Sequence, residues 1–229
     1  MLLLFDIDGT LVSGATEAHG AALRQALLEV HDVDASTVRR QPSPAGRTDG
    51  EIARAILLDA GVSAERIDER AEEVRERCCW AYARLIPNDL SDTVLPGIPR
   101  LLRWLAARED VRLGLLSGNY EPIARLKLTR AGIGRYFPAH QGAFGSDSED
   151  RAALPAIARR RAGISGSAHP REQTIVIGDT PRDIACARAD GVRCVAVATG
   201  PYDSVELHLA GADAVVSDAG ELRTPLSMH

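Results

Sequence analysis

The sequence predicts an α/β protein with a doubly wound parallel sheet as its core and an all-helical cap domain inserted after the first strand. Residues 1–5 form an apolar run without alternation, which is typical of a central strand buried on both faces. Residues 13–94 carry only helical periodicity, whereas strands and helices alternate from residue 95 onward. We therefore predict a core of residues 1–12 and 95–229 and a helical cap of residues 13–94, called the insert below.

The insert is predicted to hold three helices. Residues 15–31 place apolar side chains at helical spacing, at Ala22, Leu23, Ala26, Leu27 and Val30. Residues 50–60 and 64–86 repeat this periodicity. Each of these helices has one apolar face that has to be covered, so we expect them to pack together.

From residue 95 onward the apolar pattern alternates between the two kinds of element. Strands are predicted at residues 111–116, 174–177, 192–197 and 212–216, with a short extended piece at 140–144. Helices are predicted at residues 98–108, 121–131, 151–162 and 182–190. Strands joined by helices of this length imply right-handed crossovers and hence a parallel sheet.

The composition is that of an ordinary globular protein, with 45% hydrophobic and 26% charged residues and a net charge of -5. This charge provides neither a basic stripe for nucleic acid nor a polybasic membrane anchor. The first apolar run is too short to span a bilayer, and the four cysteines show no metal-ligand spacing. We expect a cytoplasmic protein, a monomer or a homodimer, without nucleic-acid or membrane partners.

Two acidic residues follow the first strand directly. Asp6 and Asp8 lie one residue apart in Asp6-Ile7-Asp8-Gly9-Thr10, so alternation points both side chains to the same side of the chain. Neighbouring carboxylates repel each other unless a cation lies between them, and a divalent metal would serve. Because open α/β sheets bind ligands beyond their strand ends, this is where we expect the site.

Two later strands also end in polar residues. Ser117-Gly118-Asn119 follows one of them, and Gly178-Asp179-Thr180-Pro181-Arg182-Asp183 follows another. In a doubly wound sheet such ends converge on one crevice. With the first motif and a cation further along the chain, these segments resemble the motifs of the haloacid dehalogenase superfamily of phosphotransferases. The resemblance covers most of the chain in order and spacing, and it implies a Rossmann-like core.

The resemblance implies a role for each acid. Asp6 would be the nucleophile that attacks phosphorus and forms an aspartyl-phosphate. Asp8 would protonate the leaving oxygen and later activate water. Asp6, the backbone carbonyl of Asp8 and Asp179 would bind Mg²⁺, which prefers hard oxygen ligands. Asp183 would bind the same ion or order its waters, although it could merely favour the dipole of its own helix.

The family also needs groups that hold the phosphoryl oxygens. Ser117 could do so with the backbone N–H groups of Gly118 and Asn119, although Ser-Gly-Asn is also ordinary turn chemistry. The family's phosphoryl-binding cation is usually a lysine. We assign this role to Arg151, which begins a helix at the usual place of that cation and can hold two oxygens at once. Lys127, the sole lysine, is interpreted as part of a solvated helix face.

Several reactions occur within this family. A leaving-group acid at Asp8 and a metal ligand at Asp179 argue against dehalogenation, and residues 13–94 hold no lysine for the Schiff base of phosphonate hydrolysis. The sequence therefore resembles phosphatases similar to phosphoglycolate phosphatase, acting on a phosphoglycolate-like ester or a sugar phosphate. A mutase similar to β-phosphoglucomutase and a non-catalytic, partner-binding relative are the alternatives. The expected ligand is a small phosphorylated metabolite.

The insert would read the leaving group of the substrate. Arg47 and Thr48 could face the substrate, while Thr48 or Asp49 could instead cap the helix that follows. Both interpretations are kept. Surface or packing roles are predicted for the histidines, which carry no spacing signal: His19, His31, His140, His169, His208 and His229.

Overall fold

The computed structural model describes residues 1–15, 17–39 and 42–227. Six parallel strands form one sheet: β1 Leu2–Phe5, β2 Arg112–Ser117, β3 Ala143–Phe144, β4 Thr174–Gly178, β5 Arg193–Val197 and β6 Ala214–Val216. Their order across the sheet is β3-β2-β1-β4-β5-β6. The predicted parallel sheet is therefore confirmed, with the first strand in its middle.

Helices cover both faces of this sheet. They are α4 Ile98–Ala106, α5 Glu121–Arg130, α6 Leu154–Arg161, α7 Pro181–Asp190, α8 Ser204–Leu209 and α9 Arg223–Ser227. In β1, Leu3 and Phe5 join the apolar cluster under α4 and α5, whereas Leu2 and Leu4 join the cluster under α6 and α7. A strand without polar alternation is thus buried on both sides, as expected for a doubly wound sheet.

The insert contains the three predicted helices, α1 Glu17–His31, α2 Asp49–Asp59 and α3 Ala64–Leu85. Helices α1 and α3 pack against each other through their apolar faces. Their buried side chains belong to the same apolar cluster as Phe5, and α3 also contacts α5 of the core. The limits of a separate cap domain, at residues 13 and 94, stay a prediction.

The strand register brings the polar motifs together. Phe5 pairs with Leu115 of β2 and with Ile177 of β4. The N–H of Asp6 donates to the carbonyl of Ile177 at 2.8 Å. The residues that follow these strands therefore meet at the carboxyl edge of the sheet, where open α/β sheets bind ligands.

Several element limits differ from the prediction. The extended piece at 140–144 is reduced to the two residues of β3, because His140 and Gly142 have positive φ angles that interrupt an extended chain. The helix expected at 151–162 begins with a 3₁₀ turn, Arg151–Ala153. Helices α8 and α9 were not predicted. Among the described residues, no helix has the length and apolar character needed to cross a bilayer.

Candidate active site

Three buried carboxylates meet at the carboxyl edge of the sheet. Asp6 follows β1, Asp179 follows β4, and Asp183 lies in the first turn of α7. One oxygen of each side chain lies within 4.8 Å of the other two. The side chains of Asp6, Asp179 and Asp183 are almost fully buried. Carboxylate oxygens so arranged are the ligands that Mg²⁺ prefers in proteins.

Burial and mutual repulsion disfavour the charged forms of these acids. Burial, together with the charges of Asp183 and Asp8, raises the pKa of Asp6 to about 7 against the opposing charge of Arg151. Burial and the charges of Asp6 and Asp183 raise the pKa of Asp179 to about 8. A bound divalent cation would remove this penalty. The donor set and its electrostatics therefore fit the predicted magnesium ion.

Local backbone geometry fixes the position of Asp183. Pro181 begins α7, and the N–H and hydroxyl of Thr180 both donate to Asp183 Oδ2, at 3.0 and 2.8 Å. The other carboxylate oxygen, Oδ1, accepts a hydrogen bond from Nη2 of Arg151. Asp183 therefore completes the capping box of its own helix and also belongs to the acid cluster, while its role as a metal ligand stays a prediction.

The position of Asp179 depends on a glycine and a threonine in the loop after β1. Thr10 Oγ1 donates to Asp179 Oδ1 at 3.0 Å. Gly9 has φ +88°, and a Cβ on it would lie 2.2 Å from Asp179 Oδ2. Only glycine suits this backbone conformation and this close approach. The Gly9-Thr10 turn thus positions the carboxylate of Asp179 beside that of Asp6.

The carboxylate of Asp8 lies apart from the acid cluster. Lys127 Nζ donates to its Oδ1 and Oδ2 at 2.7 and 2.8 Å, and Asn119 Nδ2 donates to Oδ2 at 3.1 Å. Burial alone would raise the pKa of Asp8, but the charge and hydrogen bond of Lys127, assisted by His19 and Asn119, hold it below its usual value. Asp8 is therefore a carboxylate at neutral pH.

The interpretation of Lys127 as part of a solvated helix face is wrong. Its side chain is fully buried, and Nζ also donates to Asn119 Oδ1 at 2.9 Å. Lys127 lies on the inner face of α5 together with Ile123, Ala124 and Leu128. The charged neighbours Arg125 and Arg130 suggested an exposed segment, whereas the helical spacing of the buried residues places position 127 among them.

Arg151 lies within the acid cluster. Its Nη2 donates to Asp6 Oδ1 at 2.9 Å and to Asp183 Oδ1. Burial opposes its charge, but Asp183 and Asp6 keep the pKa of Arg151 well above its ordinary value. Its Nε is buried without a hydrogen-bond partner among the described residues. Arg151 is thus a charged donor beside the predicted nucleophile.

The Ser117-Gly118-Asn119 segment links the core to the insert. Ser117 is buried, and its Oγ accepts a hydrogen bond from the N–H of Asn119 at 3.2 Å. The carbonyl of Gly118 accepts from the N–H of Asp49 at 2.9 Å. A Cβ at Gly118 would lie 2.0 Å from the Arg47 carbonyl oxygen. This segment therefore carries a backbone contact with the insert beside its predicted role at the phosphoryl group.

The start of α2 is positioned by its own cap and by the core. The Thr48 hydroxyl accepts from the N–H of Glu51 and donates to the Glu149 carbonyl at 2.7 Å, and its side chain is fully buried. Thr48 therefore takes the capping role. Arg47 instead lines the cavity next to the acids, and its Nη1 is paired with Glu51.

A cavity of about 460 Å³ lies between the acids and the insert. The core contributes Asp6, Asp8, Asn119, Arg151 and Asp179, and the insert contributes His19, Leu23, Arg47, Asp49 and Ile52. His19 Nε2 lies 3.0 Å from Asp49 Oδ2, which also accepts from the N–H of Tyr120 at 2.8 Å. The core and the insert thus line one space large enough for a small organic ligand.

Comparison with known proteins agrees with this architecture. Residues 1–191 match the family model of the haloacid dehalogenase-like hydrolases. The chain belongs to this family. It is 32% identical to a phosphoglycolate phosphatase from Rhodospirillum rubrum over 224 residues, which cover 96% of this chain and 88% of that protein. The motif residues of this chain can therefore be compared with the motifs of this hydrolase family.

Solved structures share the fold of this chain. A hydrolase from Pseudomonas syringae superposes with a TM-score of 0.67 at 26% identity and covers 99% of this chain and 98% of that one. CbbY from Rhodobacter sphaeroides, solved in complex with phosphate, superposes with a TM-score of 0.62 at 21% identity, covering 96% and 95%. The similarity to CbbY shows a shared fold alone.

Two side chains of this haloacid dehalogenase-like hydrolase differ from expectation. His19 packs against Tyr82, as predicted for the histidines, but it also lines the cavity and pairs with Asp49. Its position four residues before Leu23, on the apolar stripe of α1, is a signal that indicates burial. Lys127 carries the same signal in α5. His229 lies outside the described residues.

Proposed function

We propose that this chain is a Mg²⁺-dependent phosphatase that hydrolyses a small phosphomonoester through an aspartyl-phosphate on Asp6. The observation that carries the proposal is the juxtaposition of three buried carboxylates and Arg151 at the base of a cavity that the insert closes. A protein that only binds a partner has no physical need for this arrangement. The names of the phosphoglycolate phosphatase relatives support the same class of reaction.

In the first half-reaction, a carboxylate oxygen of Asp6 attacks phosphorus, and the bond between phosphorus and the ester oxygen breaks. The leaving oxygen takes a proton from the Asp8 carboxyl, which lines the same cavity and has to be protonated for this step, against the preference for the charged form that the pair with Lys127 gives it. Arg151, beside Asp6, holds oxygens of the phosphoryl group with its guanidinium, because this cation stays charged when water is excluded. The products are an alcohol and the aspartyl-phosphate.

In the second half-reaction, the carboxylate of Asp8 accepts a proton from water, whose oxygen then attacks phosphorus. The bond to Asp6 breaks, phosphate leaves, and Asp8 retains the proton for the next cycle. The pair with Lys127 favours the charged form of Asp8, which is the form that this step requires. Ser117 and the N–H groups of Gly118 and Asn119 remain the proposed contacts of the phosphoryl oxygens.

A magnesium ion bound by Asp6, Asp179, Asp183 and the Asp8 backbone carbonyl would neutralise the carboxylates and the phosphoryl oxygens. The clustered oxygens and the raised pKa values of Asp6 and Asp179 support its presence. A cytoplasmic location and a monomeric or homodimeric state stay predictions.

Release of inorganic phosphate from a panel of phosphomonoesters, with and without Mg²⁺, tests the proposal. We expect Mg²⁺-dependent turnover that falls by about 10⁴-fold in Asp6→Asn, because this change removes the nucleophile. Asp59→Asn, an exposed position in α2, is the matched control and should retain full turnover. Isomerisation of a sugar phosphate without net phosphate release would instead favour a mutase, and no reaction with any ester would favour a binding protein.

A further inference from the structure

The cavity is larger than a phosphoryl group and a two-carbon acid require. Its volume is about 460 Å³, whereas an engineered apolar cavity of about 150 Å³ holds benzene. Asp6, Asp8 and Asp179 lie on the core side, and the insert supplies most of the remaining walls. A substrate that fills this space therefore has a leaving group at least as large as a six-membered ring.

The walls away from the acids are largely apolar. Leu23 of α1 and Ile52 of α2 line the cavity, as do Pro44 and Ala45 of the loop before α2. Pro201, in the loop after β5, contributes from the core. These side chains offer no hydrogen bonds, so they favour a hydrocarbon surface on the ligand.

The arginines and the histidine of the cavity are already paired. Among the described residues that line it, the two arginines are Arg47, which pairs with Glu51, and Arg151, which pairs with Asp6 and Asp183. His19 pairs with the buried carboxylate of Asp49. A carboxylate on the leaving group would have to share one of these cations with the acid that already holds it, and it would lie near the negative charge of Asp49.

We infer that the preferred substrate is the phosphate ester of an uncharged alcohol with an apolar body, rather than an ester of a carboxylated alcohol such as glycolate. The inference rests on the proposed phosphatase function. Burial of the apolar body against Leu23 and Ile52 would supply the selectivity, and an acidic leaving group would have to share the Arg47 cation with Glu51.

A series of straight-chain alkyl phosphates, from methyl to hexyl phosphate, tests the inference with the Mg²⁺-loaded enzyme. We expect kcat/KM to rise about three- to fourfold for each added methylene until the cavity is full. Ethyl phosphate and phosphoglycolate form a matched pair, because the carboxylate of one replaces the methyl group of the other. We expect ethyl phosphate to be the better substrate by about tenfold or more.

Two variants test whether the apolar wall of the cavity causes the dependence of kcat/KM on chain length. Ile52→Thr should flatten the dependence on chain length, with its folding checked by thermal unfolding. Val205→Thr, an exposed position of α8, should leave the whole series unchanged. A series without chain-length dependence overturns the inference. Faster hydrolysis of phosphoglycolate than of ethyl phosphate, with this advantage lost in Arg47→Ala, also overturns the inference, although that result confirms a phosphatase. If no ester is hydrolysed, the proposed function fails together with the inference.

Discussion

Lys127 Nζ lies 2.7 Å from one carboxylate oxygen of Asp8 and 2.8 Å from the other, although 119 residues separate the two in the chain. The lysine is fully buried, whereas the Asp8 side chain keeps 26% of its exposure and lines the cavity. The pair therefore directs Asp8 toward the space where a substrate would lie, and it anchors α5 to the loop after β1.

Lys127→Met should destabilise the protein, because it leaves Asp8 without its cation. Removing one partner of a fully buried pair costs about 3–5 kcal/mol, and the partial exposure of Asp8 lowers this to about 2–3 kcal/mol. Urea denaturation measures the change. Arg130→Met, on the same helix, is the control and should cost less than about 0.5 kcal/mol. A Lys127→Met protein as stable as the wild type would show that the pair contributes nothing.

The stability of the metal-free protein should fall as pH rises from about 4 to about 8. Burial and mutual repulsion raise the pKa values of Asp6 and Asp179 to about 7 and about 8, far above those of an unfolded chain. In this window the folded state binds more protons than the unfolded state, so the free energy of unfolding decreases with pH. The stabilisation is complete below about pH 4 and lost as pH passes through the folded pKa values.

Magnesium should reverse this loss. A cation that binds the ionised acids stabilises the folded state most where those acids are deprotonated. We expect Mg²⁺ at about 10 mM to raise Tm by several degrees at pH 8 and by less at pH 5.5. Differential scanning fluorimetry gives both values. An equal Tm shift at the two pH values would contradict the assignment of the three acids as ligands.

The position of the acid site follows from the sequence, whereas the pairing of Asp8 with Lys127 does not. Asp6 and Asp179 directly follow buried parallel strands, whose register alone brings their ends together. The partner of Lys127 could not be predicted in this way, because its burial depends on α5 packing beside the loop after β1. The apolar positions Ile123 and Leu128 predict that 127 lies inward, yet no local pattern indicates that Asp8 neutralises it.

Arg151→Ala should lower kcat/KM by about 10²–10³-fold, the usual cost of removing one preorganised donor to a transition state. Arg151→Lys keeps the charge but loses the planar guanidinium, whose Nη2 alone reaches both Asp6 and Asp183, so an intermediate loss is expected. Steady-state turnover of one phosphomonoester, measured for both variants at saturating Mg²⁺, provides the test. Full activity of Arg151→Ala would remove this residue from the phosphoryl site.

Gly118→Ala should separate the insert from the core without unfolding either. The new Cβ would lie 2.0 Å from the Arg47 carbonyl oxygen and 2.8 Å from its carbonyl carbon, both rigid backbone atoms. The start of α2 must therefore move away, and the hydrogen bond from the Asp49 N–H to the Gly118 carbonyl is lost. Because the cavity is lined from both sides, we expect kcat/KM to fall by about tenfold or more.

Amide hydrogen exchange shows where the Gly118→Ala change acts. The N–H of Asp49 should exchange faster in the variant, while the amides of β1 and β4, which are paired only within the sheet, should exchange at wild-type rates. This pattern separates a displaced insert from a general loss of stability, which would accelerate exchange in the strands as well. Unchanged exchange at Asp49 would mean that the insert tolerates the added methyl group, and the close approach at Gly118 would then have no role in holding the cavity closed.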